Sequence, residues 1–176
     1  MAHLRIPVGP EDHTQGKTDA LITLVEYGDY QCPHCGRAYP IVKAVQKHFG
    51  DRLRFVFRNF PLQEAHPWAE AAAETAEFAA AEGKFWPMHD LLFENQNRFG
   101  GELFARLGSQ LGLNPRSLQQ ALDDGLFAER VRHDFSGGVR SGVNGTPTFF
   151  VNGQRHDRDF EFDTLVKTLS LHIPQK

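Results

Sequence analysis

The only two cysteines of the chain, Cys32 and Cys35, are separated by Pro33 and His34. A disulfide between them would close a loop of about four residues, which removes little freedom from the unfolded chain in the chain-entropy account. Structural zinc needs four ligands, and no two of the other histidines are separated by the spacing found in zinc fingers. A zinc ion shared between two chains stays open as an alternative. The pair is otherwise predicted to be a redox dithiol, provided that it lies where a strand meets a helix.

The residues around the cysteines predict that junction. Residues 20–27 are a short, nearly continuous apolar run, which is typical of a buried central strand. After the motif, apolar residues recur at helical spacing as far as Phe49, and Pro33 suits the first turn of a helix because its missing N–H has no partner there. Residues 52–60 alternate between charged and apolar side chains and predict a second strand. A β–α–β unit is therefore expected over residues 20–60.

The middle of the chain predicts helices only. Apolar residues at helical spacing predict five of them, with Asn114 as a cap and the pair Gly137–Gly138 inside the last; their ranges are 67–82, 84–96, 101–111, 115–122 and 126–141. The chain then returns to β-prone residues at 148–151 and 154–156, separated by Asn152–Gly153, which is a strong hairpin signal. A final amphipathic helix is predicted over 162–171, with Asp163 as its cap.

Composition and charge exclude several classes of protein. The 176 residues are 40% hydrophobic and carry a formal net charge of −3, which argues against a nucleic-acid-binding protein. No apolar run approaches the ~18 to 20 residues that a membrane-spanning helix needs. The N-terminal residues lack the apolar stretch of a secretory signal, which predicts a cytoplasmic location, or export if a signal segment has been removed.

The order of the elements and three motifs resemble a known family. Cys-x-x-Cys begins the first helix, Thr-Pro precedes the third strand, and a helical block separates βαβ from ββα, as in the thioredoxin superfamily. The segments 25–35, 57–62 and 145–153 are similar to those of DsbA-like thiol–disulfide oxidoreductases. The resemblance implies an α/β, thioredoxin-like fold in one domain, 1–176, with an all-helical insertion of about 80 residues at 62–140.

The chemistry of such a dithiol needs a thiolate, whereas a free cysteine is mostly protonated at neutral pH. At a helix N-terminus, backbone N–H groups and the helix dipole stabilise the anion, so Cys32 is predicted to be the nucleophile, helped by a donor on His34. Cys35, one turn along, is predicted to resolve the mixed disulfide. The resemblance further implies that Glu26 is a buried carboxylate serving proton transfer, and that Pro147, preceded by Thr146, is a cis-proline facing Cys32.

The expected partners follow from this chemistry. They are protein or peptide thiols and disulfides together with a redox partner, with no metal and no cofactor other than the Cys32–Cys35 disulfide itself. Two alternatives stay open: a glutathione-dependent transferase or isomerase on a similar helical insertion, and a non-redox binding module. Thr146 stands where DsbA itself has valine, so the direction of the reaction also stays open.

Overall fold

The computed structural model describes residues 2–174; residues 1, 175 and 176 of the predicted single domain lie outside this range. Its strands are β1 (His13–Gln15), β2 (Ile22–Gly28), β3 (Leu53–Asn59), β4 (Thr148–Val151) and β5 (Gln154–Arg155). Its helices are α1 (Pro33–Phe49), α2 (Ala69–Ala81), α3 (Phe85–Glu94), α4 (Gly101–Gln110), α5 (Pro115–Asp123), α6 (Ala128–Arg140) and α7 (Phe162–Ser170). The strands form one sheet in the order β1–β3–β2–β4–β5.

The parallel pair β2 and β3 is joined by α1, and all three elements confirm the predicted β–α–β unit. Parallel neighbours need a crossover connection, because the chain must return to the same end of the sheet before the second strand begins. The apolar stripe of α1 lies against the sheet, with Ala38, Val42, Val45 and Phe49 buried. This arrangement places the N-terminus of α1, and with it the two cysteines, at the C-terminal end of β2.

The edge strand β1 was not predicted from the sequence. It pairs antiparallel to β3, with Thr14 opposite Val56. Only three residues long, it has no apolar periodicity, so tertiary contacts must hold it in place. One of these is the nearly buried ion pair between Arg58 of β3 and Asp12, with 2.7 Å between Nε and Oδ1.

The five predicted helices of the middle block are confirmed as α2 to α6, with ends that move by a few residues. The Asn114 side chain caps α5 by accepting the backbone N–H groups of Arg116 and Ser117. Gly137 and Gly138 do not interrupt α6. A Cβ at Gly138 would lie 2.7 Å from the ring of Phe60, so a glycine there allows α6 to approach the sheet closely.

The C-terminal hairpin and helix are also present. Asn152 and Gly153 both have positive φ angles, 47° and 83°, as a type I′ turn requires, and the hairpin prediction is confirmed. The prediction that Asp163 caps the last helix is wrong: α7 begins at Phe162, and its N-cap is the extended Glu161. Phe162 packs against the core as the first residue of the helix, and Asp163 therefore falls in the first turn.

The sheet separates two apolar clusters. The larger lies on the side of α1 and α7 and extends into the helical block, and the smaller contains Val25, Tyr27 and Phe150 on the side of α6. Side chains alternate along a strand, so Glu26 points to the same side as Leu24, under α1. Among residues 2–174, no helix is long and apolar enough to cross a membrane.

Candidate active site

Cys32 is the N-cap residue of α1, with an extended backbone (φ −68°, ψ 123°), and Pro33 is the first helical residue. The carbonyl of Cys32 accepts the N–H of Gly36 at 3.0 Å, the first hydrogen bond of the helix. The Sγ of Cys32 lies 3.4 Å from the carbonyl oxygen of Thr146, in the loop before β4. The sulfur therefore lies between the N-terminus of α1 and that loop.

The pKa of Cys32 is lowered to about 5. The largest cause is hydrogen bonding from the thiol of Cys35; the Thr146 side chain and the backbone N–H groups of Cys35 and His34 act in the same direction, while burial opposes them. All these donors stabilise the anion and have no comparable effect on the neutral thiol. At neutral pH the Cys32 side chain is therefore a thiolate.

Cys35 and Cys32 are both buried, but their pKa values are shifted in opposite directions. Cys35 is completely buried, and both cysteines are free thiols. Burial raises the pKa of Cys35 well above its ordinary value, and the neighbouring Cys32 and Glu26 add to the effect. The two sulfurs therefore form an asymmetric pair, in which one is ionised and the other retains its proton.

Glu26 lies inside β2 and is buried. Its Oε1 has no hydrogen-bond partner among the described residues. Burial raises the pKa of Glu26 to about 8, and the negative charge of Cys32 contributes to the rise. Near neutrality this carboxyl group holds a proton close to both sulfurs.

The remaining predicted residues surround the cysteine pair. The Thr146–Pro147 peptide bond is cis, and the Thr146 carbonyl is the group that contacts the Cys32 sulfur. Pro33 and His34 are exposed, and it is the backbone N–H of His34 that acts on the thiolate. The structure thus brings Cys32, Cys35 and Glu26 together beneath a surface formed by the other four residues.

Asp29 is a site residue that the sequence analysis missed. Its side chain is buried, and Oδ1 accepts the backbone N–H groups of Gln31 and Cys32 at 2.8 and 3.2 Å. Its own N–H points to the sulfur of Cys35, at 3.4 Å. Aspartate commonly accepts the N–H two residues later in a turn, so the spacing between Asp29 and Gln31 was an available signal.

Gln96 is the second missed residue, and it comes from the helical block. Its Nε2 donates to the carbonyl oxygens of Tyr30 and Cys32, both at 2.8 Å. A Cβ at position 36 would clash with the side-chain amide of Gln96, so Gly36 leaves room for this contact. No signal in the sequence links residues that are more than sixty positions apart.

A zinc site finds no support in the part of the chain that the structure describes. Within residues 2–174, no group of three or more His, Cys, Asp or Glu side chains could hold a metal ion.

Comparisons with known proteins agree with this fold. The family model described as Thioredoxin matches residues 9–170, so the chain belongs to that family. The crystal structure of oxidised BdbD from Bacillus subtilis is 28% identical, with a TM-score of 0.87 over 97% of both chains. The fold is shared with alpha-DsbA1 from Wolbachia pipientis (18% identical, TM-score 0.81, 96% and 93% of the two chains). It is also shared with MdbA, a thiol-disulfide oxidoreductase from Corynebacterium diphtheriae (19% identical, TM-score 0.67, 86% and 85%). The predicted resemblance to DsbA-like proteins is confirmed.

Curated relatives with higher identity are much longer proteins. The chain is 41% identical over 163 residues to Na(+)/H(+) antiporter NhaA 1 of Salinispora arenicola, and 42% identical over 166 residues to NhaA 1 of a Mycobacterium species. It spans 25% and 27% of those proteins. The predicted cytoplasmic location is not supported by any of these comparisons.

Proposed function

We propose that the protein is a protein thiol–disulfide oxidoreductase in which Cys32 is the nucleophile and Cys35 the resolving thiol. The observation that carries the proposal is the asymmetry of the pair: the pKa of Cys32 is lowered to about 5, whereas the pKa of Cys35 is raised. A structural thiol pair has no need of such a difference, but disulfide exchange requires one nucleophile that is ionised at neutral pH.

In the proposed reaction, the Cys32 thiolate attacks one sulfur of a client disulfide. The client S–S bond breaks, a mixed disulfide forms, and one client thiolate leaves. Cys35 then transfers its proton to the ionised fraction of Glu26 and attacks the Cys32 sulfur, which releases the second client thiolate. Two electrons have moved to the client and the Cys32–Cys35 disulfide has formed. Oxidation of a client dithiol is the same sequence in reverse, and the direction is set by the redox partner.

The client is proposed to be an extended polypeptide. The loop with the cis peptide at Pro147 lies next to the Cys32 sulfur and is half-buried, so it offers backbone groups to a bound chain. Glutathione is not part of the proposal, because no feature described above favours a tripeptide over a protein chain. Antiport is not proposed either, because the antiporter names describe proteins about four times as long as the matched segment.

The experiment that tests this function compares two single-cysteine variants. Cys35→Ser should trap mixed disulfides with a peptide that contains one disulfide, because the nucleophile remains and the resolving thiol is lost. Cys32→Ser, the matched control, should trap none. In the reduced wild type, a thiol-alkylating reagent at about pH 6 should modify Cys32 first, since only its thiolate is abundant there. Preferential modification of Cys35, or equal trapping by both variants, would contradict the assignment.

A further inference from the structure

The carboxylate of Asp29 accepts hydrogen bonds from the loop that precedes α1 and carries Cys32, called the catalytic loop below, and also from a second segment of the chain. On one side, Oδ1 holds the N–H groups of Gln31 and Cys32. On the other side, Oδ2 accepts the backbone N–H of Leu62 at 2.9 Å and contacts Nδ1 of His66 at 2.8 Å. A carboxylate can only accept, so Nδ1 of His66 carries the hydrogen. Four donors thus converge on one buried side chain.

The four donors come from two separate segments of the chain. Gln31 and Cys32 precede α1, whereas Leu62 and His66 lie in the connection between β3 and α2. A further hydrogen bond joins the same two segments, since the backbone N–H of Trp68 donates to Oε1 of Gln31 at 2.6 Å. The connection between β3 and α2 therefore supports the loop that carries Cys32, and Asp29 is the junction.

We propose that Asp29 and His66 are positioning residues for the nucleophile: His66 fixes the carboxylate of Asp29, and the carboxylate in turn fixes the backbone of Gln31 and Cys32. Neither side chain touches the client or exchanges atoms with it. The inference rests on the proposed function only in naming Cys32 as the nucleophile.

Loss of the N–H donor of His66 should raise the pKa of Cys32 in two ways. The loop relaxes, so the N–H groups of His34 and Cys35 point less well at the Cys32 sulfur. The negative charge of Asp29 is also less well compensated, which disfavours a second anion nearby. Both effects raise the pKa of Cys32.

The test is the pKa of Cys32, measured from thiolate absorbance or from the pH dependence of its alkylation. His66→Ala removes the donor, and we expect the pKa of Cys32 to rise by about one unit, a tenfold loss of thiolate at pH values below it. His66→Asn places an amide N–H where the imidazole had Nδ1, and it should restore the pKa to within a few tenths of a unit of the wild type. This rescue is not expected from a residue that merely fills space.

The matched control is His156→Ala. His156 is buried, whereas His66 is half-buried, and Nε2 of His156 donates to the carbonyl of Asp159 at 2.8 Å, in a contact that does not involve the catalytic loop. This variant should lower the midpoint of denaturation and leave the pKa of Cys32 unchanged. If His66→Ala does not shift the pKa, if His66→Asn shifts it as much as His66→Ala, or if His156→Ala shifts it equally, the positioning role is overturned. The titration needs no client, so failure of the proposed function is detected separately, by the trapping experiment.

Discussion

Two ionisable side chains of the site are shifted in opposite directions by their surroundings. The pKa of Glu26 is raised to about 8 and that of Cys32 is lowered to about 5. Between these pH values the carboxyl group is mostly protonated and the thiol mostly ionised, so the pair carries one negative charge. The site therefore keeps a thiolate and a proton donor in the same apolar surroundings.

The first prediction concerns the cost of burying Glu26. Its pKa rises from an unfolded value of 4.5 to about 8 in the folded protein, so above pH 4.5 the unfolded chain loses a proton that the folded chain retains. The free energy of unfolding should therefore fall as pH rises through this window, by up to about 1.4 kcal/mol per pH unit, and level off above pH 8. Glu26→Gln should remove this slope.

The measurement is denaturant unfolding at several pH values between about 5 and 8. Both proteins should carry Cys32→Ser, because ionisation of Cys32 has the opposite linkage and would mask the effect of Glu26. Equal pH slopes with and without Glu26→Gln would show that folding does not raise the pKa of Glu26, contrary to the value of about 8.

At the scale of elements, the catalytic loop is held from two sides. Asp29 binds its N–H groups, while Gln96, from the short 3₁₀ turn after α3, binds the carbonyl oxygens of Tyr30 and Cys32. The helical block thus contacts the backbone of the catalytic loop through the side chain of Gln96. Without it, two carbonyl groups at the start of α1 would lose a donor.

We expect Gln96→Ala to loosen the catalytic loop more than the rest of the protein. A buried acceptor that loses its donor costs about 1 to 3 kcal/mol, and here the loss falls on residues 30–36. Backbone N–H groups of that segment should exchange with solvent at least tenfold faster, while those of β4 should change little. Gln46→Ala is the matched control, because Gln46 donates to Gln15 away from the loop. A uniform change across both segments would contradict this view.

Periodic and local patterns in the sequence predicted most of the elements, but not the contacts that hold the site. The stripe of α1, the cap at Asn114 and the turn at Asn152–Gly153 depend on neighbours a few residues away, so the sequence displays them directly. Strand β1 depends on its partner β3, and the contact of Gln96 with Cys32 spans 64 positions. Such contacts exist only after folding, and neither leaves a periodic trace. Asp29 is intermediate: its turn is local, but its bond to His66 is not.

At the scale of the whole molecule, the redox state and the folding stability are linked through Cys32. Ionisation of Cys32 is favoured in the folded reduced protein, whereas the disulfide form has no thiolate to stabilise. Every interaction that lowers the pKa of Cys32 therefore stabilises the reduced form relative to the oxidised form, and makes the couple more oxidising.

The last prediction is that the reduced protein resists denaturant better than the oxidised protein at pH 7. The pKa of Cys32 falls from 9.0 in the unfolded chain to about 5 in the folded protein. Each unit raises the reduction potential of the couple by about 30 mV, so the full shift would raise it by about 120 mV. At pH 7 only the part of the shift between pH 5 and pH 7 contributes, because the unfolded thiol is still protonated there, so we expect roughly half of that value. The advantage is fully present above the unfolded pKa of the thiol, and it is lost as pH falls towards 5 and through it. Equilibration with glutathione gives the potential, and denaturation of the two redox forms at pH 7 and at about pH 4 gives the stability difference. If the oxidised form is the more stable one at pH 7, or if the difference does not shrink at low pH, ionisation of Cys32 does not set the potential.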